Sequence, residues 1–321
     1  MSERVHVDIG GVNMGMIIES DDRLNPVLLF VHGGPGMPEH PLTERYPTGL
    51  EKLFTVVWWD QRGAGLSYSH DIPAETMTTE QFVTDTVDVT NYLRGRFEQE
   101  KIFLMGHSWG SYIAIQAAAR SPQLYAAYIG VAQVTDQMAS ERAAREYMLS
   151  FYSDAGDEKT RERLRRIDLG DDSHLPAAYR RIRDGVMHRA GIGTTHAMKS
   201  VITGIFLPVM RNREYTLREK INIWRGKAFS QSTAGDEIYR ADLRATTTEL
   251  AVPVYFFSGR YDYTANYTMS ADYLRSLIAP IKGFYLFDES AHSPIFEEPT
   301  RVLRIMHHDV LQAKCDLADA H

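Results

Sequence analysis

Short, continuous apolar runs recur along the chain and indicate buried strands. Runs of this length fit strands that are covered on both faces, as in a parallel sheet. The predicted strands span residues 26–31, 54–59, 101–105, 125–134, 253–258 and 283–287. Residues 4–18 instead alternate between apolar and polar around Gly10 and Gly11, which predicts a hairpin of two edge strands.

Helical patterns separate these runs. Residues 79–97 place apolar side chains on one side of a helix, and residues 112–120 are rich in alanine. Further helices are predicted over residues 267–278 and 299–311. Strands that alternate with helices predict an α/β fold, with a mostly parallel central sheet and helices on both faces.

This alternation stops after about residue 135. Residues 136–245 are charged, rich in arginine and glutamate, and mostly helical in pattern, and the strand pattern returns only at residue 253. An insertion of roughly 110 residues has the size of a domain. We therefore predict a core domain made of residues 1–135 and 246–321, with residues 136–245 forming a helical cap over the C-terminal edge of the sheet.

The strongest chemical signal is Gly106-His107-Ser108-Trp109-Gly110, which fits the pattern G-x-S-x-G. It lies between a predicted strand and a predicted helix, which is the context of a nucleophile elbow. The glycines are needed because the turn is so tight that side chains at their positions would collide with neighbouring backbone. The turn would place the hydroxyl of Ser108 above the sheet at a helix N-terminus, and Ser108 is the predicted nucleophile.

A nucleophilic serine needs a base, and the base needs an orienting carboxylate. His292 lies just past the last predicted strand, in a loop that would open onto the same edge as Ser108. Asp262 follows the preceding strand, so neighbouring loops would bring it to the imidazole, in the chain order serine, acid, histidine. Asp136 and Asp288 are alternative acids, but Asp262 is favoured because Asp288 is expected at the end of its own strand.

A second glycine-rich turn, residues 31–36 (VHGGPG), follows a buried strand. Glycines let backbone N–H groups approach a substrate closely, and we predict that the N–H groups of Gly34 and Trp109 form an oxyanion hole. His32 is expected to brace this loop rather than to react. A third turn, residues 60–67, lacks the lysine of a phosphate-binding loop and is predicted to be structural, with Arg62 holding neighbouring loops.

Composition narrows the classes of function. The formal net charge of −7 argues against a nucleic-acid binder. The single cysteine, Cys315, allows no intrachain disulfide, and no metal-binding or cofactor-binding motif is found. No signal-like N-terminal segment and no apolar stretch of about 20 residues is seen, so we expect a cytoplasmic protein without a metal, a cofactor or a membrane partner.

Five motifs together resemble those of the proline iminopeptidase branch of the α/β hydrolases. They are HGGPG (32–36), DQRGAGLS (60–67), GHSWGS (106–111), GRYD (259–262) and AHSP (291–294). The resemblance implies an α/β-hydrolase fold with an inserted helical cap and a triad of Ser108, Asp262 and His292. It also implies an oxyanion hole made by Gly34 and Trp109, and release of an N-terminal residue, typically proline, from small peptides.

One departure from the family pattern concerns the substrate. Members that cleave N-terminal proline tend to carry an acidic cap residue after a tryptophan pair, to hold the free amine. Here residues 223–226 read Ile-Trp-Arg-Gly, with Arg225 where the carboxylate is expected. The acidic residues considered as substitutes are Glu214, Glu219, Asp236 and Glu237.

Two other functions stay open from the sequence. The first is a carboxylesterase or lactonase that acts on a small uncharged acyl substrate. Aromatic side chains are candidates for lining an acyl or prolyl pocket, although at such positions they are more often part of the core. The aromatic candidates are Trp58, Trp59, Trp109, Phe206 and Phe229. The second is a non-catalytic receptor for a small ligand on the same fold, which the presence of all three triad residues disfavours.

Overall fold

A computed structural model describes residues 1–170 and 173–319, and in this part of the chain the strands form one eight-stranded sheet. The strands are β1 (Ser2–Ile9), β2 (Val12–Glu19), β3 (Val27–Val31), β4 (Thr55–Trp59), β5 (Ile102–His107), β6 (Tyr125–Val131), β7 (Val254–Gly259) and β8 (Lys282–Phe287). Their order across the sheet is β1-β2-β4-β3-β5-β6-β7-β8. β2 pairs antiparallel with β1 and with β4, and all other pairs are parallel. The predicted α/β fold with a mostly parallel sheet is confirmed.

Helices flank this sheet. In the described residues they are α1 (His40–Thr43), α2 (Thr79–Phe97), α3 (Trp109–Arg120), α4 (Gln137–Asp154), α5 (Glu158–Arg165), α6 (Ala177–Arg189), α7 (Leu207–Arg211), α8 (Leu217–Thr233), α9 (Leu243–Thr246), α10 (Tyr267–Ser276), α11 (Pro294–Glu297) and α12 (Pro299–Ile305). The predicted bounds of α2 are right, and the side chain of Thr78 caps its first turn. The predicted helix over residues 299–311 is divided, because a π-helical turn, Met306–Val310, follows α12. Over the same described residues, no helix has the length and apolarity needed to cross a membrane.

Alternate residues of the central strands face opposite sides of the sheet, as the pleat of a strand requires. In β3, Val27, Leu29 and Val31 pack into one hydrophobic cluster, and Leu28 and Phe30 pack into the other. All five side chains are buried. Continuous apolar runs are therefore the sequence pattern of a strand that is covered on both faces.

The helical segment between β6 and β7 has a hydrophobic cluster of its own, drawn from residues 138–192. Its two ends meet, because Asp136 and Asp242 pair in an antiparallel bridge and the N–H of Leu243 donates to the carbonyl of Thr135 at 3.0 Å. Arg244 strengthens this junction with a 2.8 Å ion pair to Asp136. This arrangement is that of an insertion into the core. The division into a core domain and a cap stays a prediction.

The order of the strands reverses at β3, which has β4 on one side and β5 on the other. In open α/β sheets, ligands bind in the crevice at such a switch point, beyond the carboxyl ends of the strands. The loop after β3 is residues 32–36, here named the oxyanion loop, and the turn after β5 contains Ser108. The topology thus places the oxyanion loop and the turn that contains Ser108 on the two sides of one crevice.

Candidate active site

Ser108 occupies the sharp turn between β5 and α3. Its backbone has φ 54° and ψ −122°, a conformation rare for a residue with a side chain. A Cβ at Gly106 would lie 2.5 Å from the carbonyl oxygen of Gly110, and one at Gly110 would lie 1.9 Å from that of Val31. Both glycines are therefore required by the close approach of backbone, as expected of a nucleophile elbow.

Asp262 and His292 are hydrogen bonded to each other. The Nδ1–H of His292 donates to the carboxylate of Asp262, at 3.1 Å from each oxygen. Asp262 is fully buried, and its Oδ1 also accepts from the N–H groups of Thr264 and Ala265 at 2.9 Å. These bonds fix the carboxylate and leave Nε2 of the imidazole as its unprotonated nitrogen, which is the state a general base needs.

The two alternative acids are engaged elsewhere. Asp136 caps α4 by accepting from the N–H of Ala139 at 2.8 Å, and it forms the ion pair with Arg244. Asp288 forms a surface ion pair with Arg260. Of the three carboxylates considered from the sequence, Asp262 is thus the one that the fold brings to the imidazole.

Two loops carry these side chains, the acid loop (residues 260–266) and the base loop (residues 288–293). They lie against each other, because the N–H of Tyr261 donates to the carbonyl of Ser290 at 3.0 Å. Gly259, at the end of β7, permits this approach, since a Cβ there would lie 2.0 Å from the carbonyl oxygen of Ala291. Backbone contact between the loops therefore holds the acid beside the base.

Ser108 lies where two cavities meet. The first cavity, of about 200 Å³, is lined by Gly34, Ser108 and His292 among others. The second cavity, of about 220 Å³, shares Gly34 and Ser108 and adds Trp109. Trp109 is the first residue of α3, so its N–H has no acceptor within the helix. The two residues predicted to form the oxyanion hole thus both border the space beside Ser108.

His32 braces the oxyanion loop, as expected from the sequence. Its Nδ1–H donates to the carbonyl of Gly33 at 2.8 Å, and its Nε2 accepts from the N–H of Gln61 at 3.1 Å. Burial lowers the pKa of His32 to about 4, so the ring is neutral and has one donor and one acceptor. Its role in the described structure is to join the turn after β3 to the turn after β4.

Arg62 holds its neighbours together, as also expected. Its guanidinium makes two hydrogen bonds of 2.8 Å to the carboxylate of Asp85 on α2. A third, of 3.1 Å, reaches the carbonyl of Gly10 in the β1–β2 hairpin. Both charged side chains are at most 2% exposed. The turn over residues 60–67 is therefore anchored by a buried, bidentate ion pair.

The four acidic residues considered as amine ligands lie away from Ser108. Glu219 forms a capping box with Thr216 at the start of α8 and an ion pair of 2.7 Å with Arg4. Glu214 lines a separate cavity beside Glu19. The T-x-x-E pattern of residues 216–219 is a sequence signal for the capping box, but the contact of Arg4 with Glu219 joins segments that no sequence pattern connects.

The other two acidic candidates, Asp236 and Glu237, also have partners elsewhere. Asp236 pairs with Arg180 at 2.7 Å, and the carboxylate of Glu237 accepts from the N–H of Thr79 at 2.6 Å. Within the described chain, none of the four lines either cavity beside Ser108. The sequence left open which cap residue, if any, holds a substrate amine, and the described structure brings none of these four to Ser108.

A carboxylate that the sequence analysis did not single out does line both cavities. It is Asp184 on α6, whose side chain is 61% exposed and lies 3.0 Å from Arg183. Desolvation opposes its ionisation only weakly at a side chain this exposed, and the charges of Arg183 and Lys227 lower the pKa of Asp184, so the carboxylate is ionised near neutral pH. The cap is rich in charged residues, and no sequence signal separates Asp184 from the rest.

Most of the aromatic candidates are not pocket residues. Trp109 borders the second cavity, but Trp58 and Trp59 project into the two core clusters. Phe206 is 40% exposed, and the ring of Phe229 lies beside that of Tyr68. Trp58 and Trp59 are thus core residues, the interpretation that the sequence favoured, and in residues 1–170 and 173–319 neither Phe206 nor Phe229 lines the cavities beside Ser108.

Potential metal ligands are dispersed in the structure. The described residues contain no group of three or more His, Cys, Asp or Glu side chains that could hold a metal ion. The adjacent His307 and His308 lie in the π-helical turn with ring centres 5.0 Å apart. Cys315 is exposed near the C-terminus.

Comparison with known proteins identifies the family. The α/β hydrolase fold family matches residues 26–299 of the chain. A probable aminopeptidase of Bacillus subtilis (strain 168), YbaC, is 33% identical over 294 residues, which is 92% of this chain and 92% of that protein. A proline iminopeptidase of Heyndrickxia coagulans is 23% identical over 281 residues, or 87% of this chain and 88% of its own.

Solved structures show the same fold. The proline iminopeptidase-related protein TTHA1809 from Thermus thermophilus superposes with a TM-score of 0.54 at 20% identity, covering 95% of this chain and 96% of its own. An identity this low bears on the fold alone. With the family match and the YbaC relative, however, the assignment is plain: the chain belongs to the α/β-hydrolase family, within which it is similar to the proline iminopeptidases.

Proposed function

We propose that this protein is a serine hydrolase that works through an acyl-enzyme intermediate, with Ser108 as nucleophile. His292 is the general base, and Asp262 holds its imidazole in the required tautomer and orientation. The observation that carries the proposal is the hydrogen bond between Asp262 and His292 at the wall of the cavity that Ser108 also lines. The strained turn at Ser108 supports the same role, since it presents the hydroxyl at the end of the sheet.

The chemistry follows from these positions. The Oγ of Ser108 attacks a substrate carbonyl while its proton passes to Nε2 of His292, and the imidazolium then gives this proton to the leaving amine. The N–H groups of Gly34 and Trp109 donate to the oxyanion of the tetrahedral intermediate, each such donor contributing about 3 kcal/mol in comparable sites. Water, deprotonated by the same imidazole, then hydrolyses the acyl-enzyme.

The substrate class we propose is a short peptide with a free N-terminal amine. Asp184 supports this, because its ionised carboxylate lines both cavities next to Ser108. Its Oδ1 pairs with Arg183 and its Oδ2 would accept from an ammonium group. The cavities of about 200 and 220 Å³ suit a short peptide rather than a folded protein. The names of the relatives, a probable aminopeptidase and a proline iminopeptidase, support the same class.

One observation favours an esterase or lactonase as the second candidate. Part of the wall of the first cavity is apolar and would accept an uncharged acyl group. The apolar side chains that line it are Met37, Leu42, Met187, Val201, Ile205 and Phe296. In that case Asp184 would have no substrate amine to bind.

A side-by-side assay distinguishes the two candidates. The purified protein is tested on proline β-naphthylamide and on a short-chain p-nitrophenyl ester, with Ser108→Ala as the inactive variant and Ser153→Ala, at an exposed serine of α4, as the matched control. We expect rapid amide cleavage that is kept in the control and lost in Ser108→Ala. Ester cleavage alone supports the second candidate, and activity that survives Ser108→Ala on both substrates contradicts the proposed mechanism.

A further inference from the structure

A buried ion pair lies directly behind the proposed nucleophile. His107 precedes Ser108 in the chain, and Glu39 lies just before α1. The ring Nδ1 of His107 is 2.8 and 2.9 Å from the two carboxylate oxygens of Glu39. Glu39 is 6% exposed and His107 is 4% exposed, so the pair is almost buried, and both residues border the first cavity beside Ser108.

The other ring nitrogen of His107 has an acceptor too. Its Nε2 lies 2.8 Å from the backbone carbonyl oxygen of His292. A carboxylate and a carbonyl only accept hydrogen bonds, so both ring nitrogens must carry a proton and the ring is an imidazolium. Burial works against this charge, but the carboxylate of Glu39 raises the pKa of His107. The same attraction lowers the pKa of Glu39, against the opposing effect of its burial.

Glu39 has a further contact with the oxyanion loop. Its Oε1 accepts a hydrogen bond of 2.9 Å from the backbone N–H of Gly33, the residue before Gly34. The chain of bonds therefore runs from Gly33 through Glu39 and His107 to the backbone of His292. It joins the loops that follow β3, β5 and β8, while β8 is separated from β3 in the sheet by β5, β6 and β7.

We propose that Glu39 and His107 are positioning residues, which set the distance of His292 from the oxyanion loop and from Ser108. The proposal rests on the proposed function, since it concerns how that same site is assembled. The base loop follows β8, at one edge of the sheet. The hydrogen bond from His107 to the carbonyl of His292 holds the end of this loop next to β5. Stability alone does not require such a pair, because burying two charges costs about as much as their attraction returns.

The first test compares Glu39→Met with the loss of a buried carboxylate elsewhere. Methionine has about the volume of glutamate, but it does not accept the hydrogen bonds that Glu39 accepts from Gly33 and His107. The rate at which a fluorophosphonate labels Ser108, and kcat, are expected to fall about 10- to 100-fold in the folded variant, with KM nearly unchanged, as for a modest misplacement of a catalytic group. Asp309→Leu, which removes a buried carboxylate bonded to Tyr285 away from both cavities, is the matched control and is expected to lower stability without lowering the labelling rate.

The conservative variant Glu39→Gln separates hydrogen bonding from charge. Its amide oxygen still accepts from Gly33, and its amide N–H donates to Nδ1 of a neutral His107 whose Nε2–H still reaches His292. We expect this variant to recover most of the labelling rate that Glu39→Met loses. A folded Glu39→Met with the wild-type labelling rate, or a Glu39→Gln as slow as Glu39→Met, overturns the proposal.

Nitrogen-15 NMR of the wild-type ring tests the pair directly and does not depend on whether a variant folds. We expect both nitrogens of His107 to be protonated in the wild type and one in Glu39→Gln. An unprotonated Nε2 in the wild type overturns the proposal, because the contact of this nitrogen with the carbonyl of His292 would then not be a hydrogen bond. Fluorophosphonate labelling does not depend on whether the substrate is a peptide or an ester, so failure of the proposed substrate class is seen separately in the substrate assay.

Discussion

The carboxylate of Glu297 accepts a hydrogen bond of 2.6 Å from the backbone N–H of His196. It also accepts one of 2.9 Å from the N–H of Ala291 in the base loop. The ring of His196 stacks on that of Tyr261 in the acid loop, with centroids 3.7 Å apart. One short segment of the inserted helices is therefore joined to both loops that carry the proposed acid and base.

The carboxylate of Glu297 makes the free energy of unfolding depend on pH. Burial raises the pKa of Glu297 from its usual 4.5 to about 7. The folded protein then holds this proton more tightly than the unfolded chain, so the free energy of unfolding falls as pH rises from about 4.5 to about 7, by up to ~3 kcal/mol. Urea unfolding at pH 5 and pH 8 measures the difference. Glu297→Gln is expected to remove it, whereas the neighbouring Glu298→Gln keeps it; an unchanged pH slope in Glu297→Gln contradicts the prediction.

Asp262→Asn tests the orienting role of the buried carboxylate. An amide at this position favours the wrong imidazole tautomer, and we expect kcat to fall about 10³- to 10⁴-fold with little change in KM. Steady-state kinetics with the better of the two assay substrates measures the effect. Asp136→Asn and Asp288→Asn alter the two alternative acids and are expected to keep kcat near the wild-type value. If Asp288→Asn were the slow variant instead, the assignment of the acid would be wrong.

Asp184→Asn tests the proposed contact with the substrate amine. Loss of the charge is expected to raise KM for substrates with a free N-terminal amine by about 10- to 100-fold, the usual cost of losing a charged hydrogen-bond partner. Esters without an amine should be cleaved as by the wild type. Asp236→Asn is the matched control, since Asp236 pairs with Arg180 and was a candidate from the sequence. Equal effects of Asp184→Asn on both substrate types would argue against the amine contact.

Gly259→Ala tests the contact between the acid and base loops. The new Cβ would meet the carbonyl oxygen of Ala291 at 2.0 Å, so we expect the base loop to shift, with a loss of about 1–3 kcal/mol in stability and a fall in kcat. Gly95→Ala is the opposite case, because a Cβ there meets nothing within 4 Å near the end of α2. That variant is expected to gain about 0.5–1 kcal/mol. Urea unfolding and kcat are measured for both.

The sequence predicted what local patterns determine. Two glycines predicted the tight turn at Ser108, and a continuous apolar run predicted each buried strand. Element ends were less accurate: α3 begins at Trp109 rather than at residue 112, since the helix starts directly at the elbow. β6 ends at Val131 rather than at residue 134.

What the sequence did not predict depends on contacts between distant segments. Glu39 and His107 are 68 residues apart, and His107 and His292 are 185 apart. No periodicity or motif connects such positions, and a histidine inside the G-x-S-x-G pattern is easily taken for a spacer. Asp184 was missed for a related reason, because only the packing of α6 within the inserted helices decides which of their many carboxylates lines the cavities beside Ser108.

The base loop is anchored through backbone groups, among them the carbonyl of His292, and not through the ring of His292. Removal of the ring, as in His292→Gly, therefore leaves the loop tied to His107 and leaves a space of imidazole shape beside the buried carboxylate of Asp262. Free imidazole added to the buffer would fit that space and be oriented there as the native side chain is. The binding space for the base is therefore formed by Asp262 and the loop backbone, not by the ring itself. Imidazole bound in this space would restore turnover.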